Sequence, residues 1–155
     1  LVVACFLIII FVYDLKHYLI PDKIIYPAIA VALLYNILYS YFILHTSHFV
    51  LNTIYAAFGA AAFFLAIVLI SRGKWMGAGD VKLAFFIGLF LGFPNILVAL
   101  FLAFFIGAII GLGLIAAQKK TLKSEVPFGP FLVTATLIAF FWAETIINWY
   151  LNLFL

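Results

Sequence analysis

Residues 83–117 contain no Lys, Arg, Asp, Glu or His, and almost every side chain among them is aliphatic or aromatic. A run of that length cannot be folded inside one small aqueous core. It fits two tightly joined helices in lipid, broken only at Gly92-Phe-Pro-Asn95, where backbone groups must be satisfied internally. The rest of the chain has the same character, with 70% of its 155 residues apolar and 8% charged. Soluble domains carry about 25% charged residues, so a water-soluble globule and a disordered tail are both excluded. Apolar and polar residues do not alternate with period two, which argues against a membrane barrel. At about 20 residues per span there is room for six or seven crossings and for no separate aqueous domain. The expected organisation is one membrane-embedded, all-α domain over residues 1–155.

Polar breaks at 14–23, 45–48, 71–82, 92–95 and 118–125 separate six apolar runs. Lys16 and Lys23 lie in the first break, Arg72, Lys74 and Lys82 in the third, and Lys119, Lys120 and Lys123 in the fifth; the second and fourth have no cation. Cytoplasmic loops collect Lys and Arg. Six transmembrane helices therefore place every cation on the cytoplasmic side, with both chain ends outside, whereas a single crossing by residues 83–117 would split the cations between the two sides. Tyr39, Tyr41, Trp142, Trp149 and Tyr150 then fall toward the outer face as an aromatic belt. The scattered, small excess of base does not point to nucleic acid. The single cysteine, Cys5, allows neither an intrachain disulfide nor a CxxC zinc site. The start at Leu1 reads as a cut inside a longer protein rather than a signal peptide.

Carboxylates beside hydrocarbon are costly and mark candidate sites. Three of the five acids, Asp14, Asp22 and Asp80, lie beside helix ends on the proposed cytoplasmic side. Asp80 follows Gly77-Ala-Gly79 and opens a fourth helix of only about 20 Å, which sinks it below the membrane surface. The glycines permit unusual dihedrals and close backbone approach, so an extended substrate is expected to lie along them in the manner of an added strand. Asp14 closes the first helix at the same depth. If that helix continues through Ile20, Asp22 lies about 12 Å further along its axis, beside Lys23 and water, and Asp14 is the better partner for Asp80. Two carboxyls sharing a site titrate in separated steps. The ionised member can then take a proton from water while the neutral one polarises a peptide carbonyl.

The order Asp14, six residues, Pro21-Asp22, then Gly77-Ala-Gly79-Asp80-Val-Lys82, then Pro127-Phe-Gly129-Pro130 resembles the type IV prepilin peptidases, aspartic proteases of the GxGD intramembrane kind. The resemblance runs from Tyr13 to Phe131. It implies that Asp14 and Asp80 are catalytic, with Gly77, Gly79, Lys82, Pro127, Gly129 and Pro130 as supporting or substrate-binding positions, and no metal or cofactor. It further implies a multi-pass protein of the plasma (inner) membrane. Its partners would be the bilayer and a type IV prepilin or pseudopilin, whose leader peptide is cut after a glycine at the cytoplasmic face. Many bacterial members also carry an N-terminal segment with paired cysteines, linked to methylation of the new N-terminus. Nothing like it occurs here, so a truncated protein or a short peptidase-only form is expected.

The other candidates are weaker. Lys82 either acts on Asp80 or an acidic substrate group, or simply obeys the charge rule. His17, His45 and His48 lack metal spacing on one helix face and read as interfacial, as does Glu144. Gly107, Gly111 and Gly113 suit close helix packing. The rival readings are a presenilin-type GxGD protease, which has Pro-Ala-Leu where this chain has Pro-Phe-Gly-Pro, a transporter that uses the same acids for ions, and a non-catalytic protein of a secretion assembly.

Overall fold

A computed structural model describes residues 2–45, 48–116 and 127–154, which form helices joined by short turns. The order is α1 (Val2–His17), α2 (Asp22–Tyr39) continued by a π-helical turn (Ser40–Leu44), α3 (His48–Ser71), α4 (Ala78–Leu91), α5 (Asn95–Ala116) and α6 (Gly129–Phe154). The described residues contain no strand. Helices α2, α3, α5 and α6 are long and apolar enough to cross a membrane. Helix α1 has 16 residues and α4 has 14, about 24 and 21 Å. Lys119, Lys120 and Lys123, which carry part of the charge argument, lie outside the described residues.

Helix α4 is the centre of the bundle. It packs most extensively on α3 and also meets α2, α5 and α6, while α5 pairs with α6 and α1 with α6 and α2. Its buried positions, Leu83, Ala84, Phe86, Ile87, Gly88 and Leu89, face all directions. A helix that is apolar all round is one surrounded by other elements. The outer helices instead turn large side chains outward, with Phe101 68% and Phe141 67% exposed; a continuous apolar exterior of this kind belongs in lipid.

Close approach of α3 and α4 rests on Gly88. A Cβ there would fall on the Ala57 backbone, 2.6 Å from its nitrogen. The glycines flagged in α5 divide differently. Gly107 faces the Phe131 ring, 3.2 Å from a Cβ placed on it, whereas Gly111 and Gly113 have nothing within 4 Å among the described residues. Open space, not helix packing, surrounds those two.

The end of the bundle that carries the second and fourth breaks is tied by amides. The Asn36 side chain donates to Thr53 Oγ1 (3.2 Å) and to the Leu89 carbonyl (2.8 Å), joining α2, α3 and α4. Asn52 brackets the turn after α4, donating to the Phe93 carbonyl (3.1 Å) and accepting from the Phe93 N–H (2.7 Å). Gly92 beside it has φ +67°, a left-handed conformation that glycine adopts without penalty.

Candidate active site

The first and third breaks and the start of α6 meet at the opposite end around one cavity of about 810 Å³, within the size range of small-molecule sites. Asp14, Asp22, Gly77, Gly79, Asp80, Lys82 and Pro127 all line it. The chain reverses after α1 because that helix stops at His17 and Tyr18 takes φ +54°. A continuation through Ile20, the condition that would set Asp22 further along the same axis, does not occur. Pro21, with no N–H to donate, stands in extended backbone before α2, and Asp22 opens that helix instead of extending the axis of α1.

Asp80 sits in the first turn of α4, where a carboxylate complements the positive end of the helix. Its Oδ2 accepts the Gly77 N–H (3.2 Å) and its own N–H donates to the Gly77 carbonyl (3.2 Å). Neither glycine of the pair has a left-handed φ. Gly77 is extended, at φ −83°, and α4 begins at the next residue. A Cβ on Gly77 would meet nothing closer than 3.8 Å, whereas one on Gly79 would come within 3.1 Å of the Ile20 Cβ. Close packing against the α1–α2 turn accounts for Gly79. The Gly77 N–H and carbonyl expected to receive a substrate strand are already engaged by Asp80.

Asp14 is in a less favourable place on its own helix. The last turn of α1 presents the negative end of a helix dipole, and the side chain is 95% buried. Helix α6 approaches it from across the bundle. Its first residue packs directly on the Asp14 carboxyl, since a Cβ on Gly129 would collide with Asp14 Oδ2. Pro130 follows with no N–H, and the Phe131 N–H is held by the Phe128 carbonyl (3.0 Å). Only a residue without a side chain lets α6 come this near. Oδ2 itself is buried without a hydrogen-bond partner among the described residues. Such an oxygen is costly unless something else occupies the space beside it. Asp14 and Asp80, from different helices, both face this cavity.

Lys82 does not turn to Asp80. Its ammonium pairs with Asp22 and lies 5.2 Å from the centre of the Tyr26 ring. Pro130 is buried behind the cavity, and its carbonyl accepts from Thr134 Oγ1 (2.8 Å). His17 stacks on Tyr13 (4.4 Å), and no group of three His, Cys, Asp or Glu gathers among the described residues. Sequence reasoning missed Ile20, an aliphatic residue that lines the cavity and packs on Gly79.

Residues 1–112, which include both buried aspartates, match the type IV leader peptidase family. The chain belongs to that family. Members of the leader peptidase family named prepilin leader peptidase/N-methyltransferase align with nearly all of it. The protein of Aeromonas salmonicida (strain A449) is 34% identical over 146 residues, taking in 90% of this chain and 47% of that one. That of Legionella pneumophila is 32% identical over 146 residues, covering 90% and 48%. The Bacillus subtilis protein is 29% identical over 152 residues, covering 95% and 56%. The chain therefore spans about half the length of the curated relatives it matches. No solved structure matches.

Proposed function

We propose that this chain is an aspartic endopeptidase that removes the leader peptide from type IV prepilins or pseudopilins by cleavage after a glycine. The observation that carries the reading is the meeting of two buried carboxyls, Asp14 from α1 and Asp80 from α4, at one cavity. The relatives' names, prepilin leader peptidase/N-methyltransferase, supply the substrate class, and the two aspartates speak to the hydrolytic half of those names.

The pair shares one proton. The ionised carboxylate takes a proton from water, and the hydroxide attacks the scissile carbonyl while the protonated carboxyl donates to its oxygen. Collapse of the tetrahedral species breaks the C–N bond and returns a proton to the amine, so that one water and one peptide bond become an acid and an amine. Both carboxyls line the cavity through which water would reach them; Asp80 is held in place by Gly77.

The chain is further read as crossing the membrane six times, with α1 and α4 as short spans and the cavity at the cytoplasmic face of the plasma membrane. The supporting observation is that Lys16, Lys23, Arg72, Lys74 and Lys82 all stand at the cavity end, where the positive-inside rule would put them. In a Cys5→Ser background, cysteine at Trp75 should resist an impermeant thiol reagent added outside and cysteine at His45 should react. The reverse pattern would defeat this orientation. Cleavage is tested by incubating the purified chain in detergent with a prepilin and weighing the products. A single cut after a glycine, lost in Asp14→Asn and Asp80→Asn, is expected; intact prepilin would remove the reading.

A further inference from the structure

We propose that Phe128 is a positioning residue, setting how closely the start of α6 approaches the Asp14 carboxyl. Its ring meets Phe64 of α3 at 5.8 Å and Phe104 of α5 at 5.0 Å, and those two rings meet each other at 5.9 Å. Phe64 is fully buried. Three elements are thereby closed into one triangle of rings immediately before α6. The next residue is Gly129, on which a Cβ would clash with Asp14 Oδ2. One peptide unit separates an anchored ring from the contact, so a shift of the ring is passed on to Gly129 almost undiminished. Gly107 of α5 makes the room, since a Cβ there would stand 3.2 Å from Phe131 and 3.6 Å from Phe128.

The route from Phe128 to Asp14 runs through one peptide unit to the backbone of Gly129, which lies against the Asp14 carboxyl. Phe64 and Phe104 come from helices that hold neither aspartate, so the triangle transmits the placement of α3 and α5 to the site through Phe128. The Phe90–Phe140 stack (5.1 Å), which joins α4 to α6 elsewhere, touches neither Gly129 nor Asp14 and serves as the comparison.

The proposal rests on the peptidase reading of Asp14, so one of its two measurements is independent of cleavage. The full chain in detergent is treated with a water-soluble carbodiimide and glycine ethyl ester, and modification of Asp14 relative to Asp80 is read by mass spectrometry. Phe128→Leu keeps the apolar volume and removes the ring. It is expected to raise the Asp14-to-Asp80 ratio at least threefold and, on a prepilin peptide, to lower kcat about tenfold with KM within twofold. Gly107→Ala, whose added carbon presses on Phe131 and touches Phe128 from α5, should act in the same direction, and the double variant should lose less than the product of the single losses. Phe140→Leu should change neither measurement. An unchanged ratio in folded Phe128→Leu protein, or an equal rise at both aspartates, would overturn the proposal. If Phe128→Leu does not fold, the milder Gly107→Ala decides by the same ratio. A parent protein that leaves prepilin intact removes the peptidase reading, while the ratio still judges the positioning.

Discussion

The two ends of the bundle treat buried polar groups in opposite ways. At one end Asn36, Asn52 and Thr53 are spent on one another and on the backbone of α4 and its following turn. At the other, a buried carboxyl oxygen of Asp14 has no partner among the described residues and a cavity lies beside it. Satisfied polar groups in lipid rigidify and specify packing. An unsatisfied one costs free energy and calls for a role that offsets it. The first end holds α4 in place; the second is where α4 delivers Asp80.

The sharpest way to break this contrast is to neutralise the acids. Asp14→Asn and Asp80→Asn are each expected to lower prepilin cleavage by roughly 10²–10⁴-fold, with the thermal midpoint in detergent unchanged or raised. A comparable drop in stability would make the carboxyls structural. The next largest effect comes from one methyl group placed at either end. Gly129→Ala sets a carbon against a side-chain carboxyl that can rotate away, so activity should fall about 10²-fold while the helices stay assembled. Gly88→Ala sets the same carbon on the backbone of Ala57, which cannot move without parting α3 from α4. That change should cost about 1–3 kcal/mol of stability. Equal behaviour of the two variants would erase the distinction between the ends.

Much of this was legible in the sequence because charge is conspicuous in an apolar chain. Asp14 and Asp80 stand out among five acids, and the six apolar runs correspond to six helices with boundaries displaced by a few residues. The helix stop at His17 was not visible, since Tyr18 in a left-handed conformation is a tertiary outcome that no residue preference announces. The glycines were visible as glycines but not by role. Gly79 and Gly129 serve close approach, toward Ile20 and Asp14, and Gly88, which brings helices together, resembles any other small residue in an apolar run. Phe128 is one of 19 phenylalanines, and nothing local marks it as the one beside the site. Of the readings open for Lys82, action on Asp80 rests on nearness in sequence, yet residues two apart on a helix point away from each other.

Smaller effects should follow at the amide-tied end. Asn36→Leu removes the donor to the Leu89 carbonyl and to Thr53. The loss should lie near 1–2 kcal/mol, as for interhelical hydrogen bonds in membranes, and appear as a lower thermal midpoint. Cleavage per folded molecule should stay within about threefold of the parent rate, because the change lies at the far end of α4 from Asp80. A tenfold loss in folded protein would show that the two ends are coupled through α4.

The smallest effect is expected at Asp22, the third acid at the cavity. It shares the site's lining with Asp14 and Asp80 but not their burial, with its side chain 57% exposed and paired to Lys82, itself 32% exposed. Exposed ion pairs contribute under about 1 kcal/mol and are screened by salt. Asp22→Asn should therefore lower stability barely measurably and leave clear activity, and the small difference from the parent should shrink as salt is raised from about 0.05 to 0.5 M. Lys82→Met should do the same, and the double variant should be no worse than either single, because both remove one interaction. A loss at Asp22 equal to that at Asp14 would place the proton chemistry at the mouth of the cavity, where water is plentiful, and would leave the buried, unpartnered oxygen of Asp14 without a role.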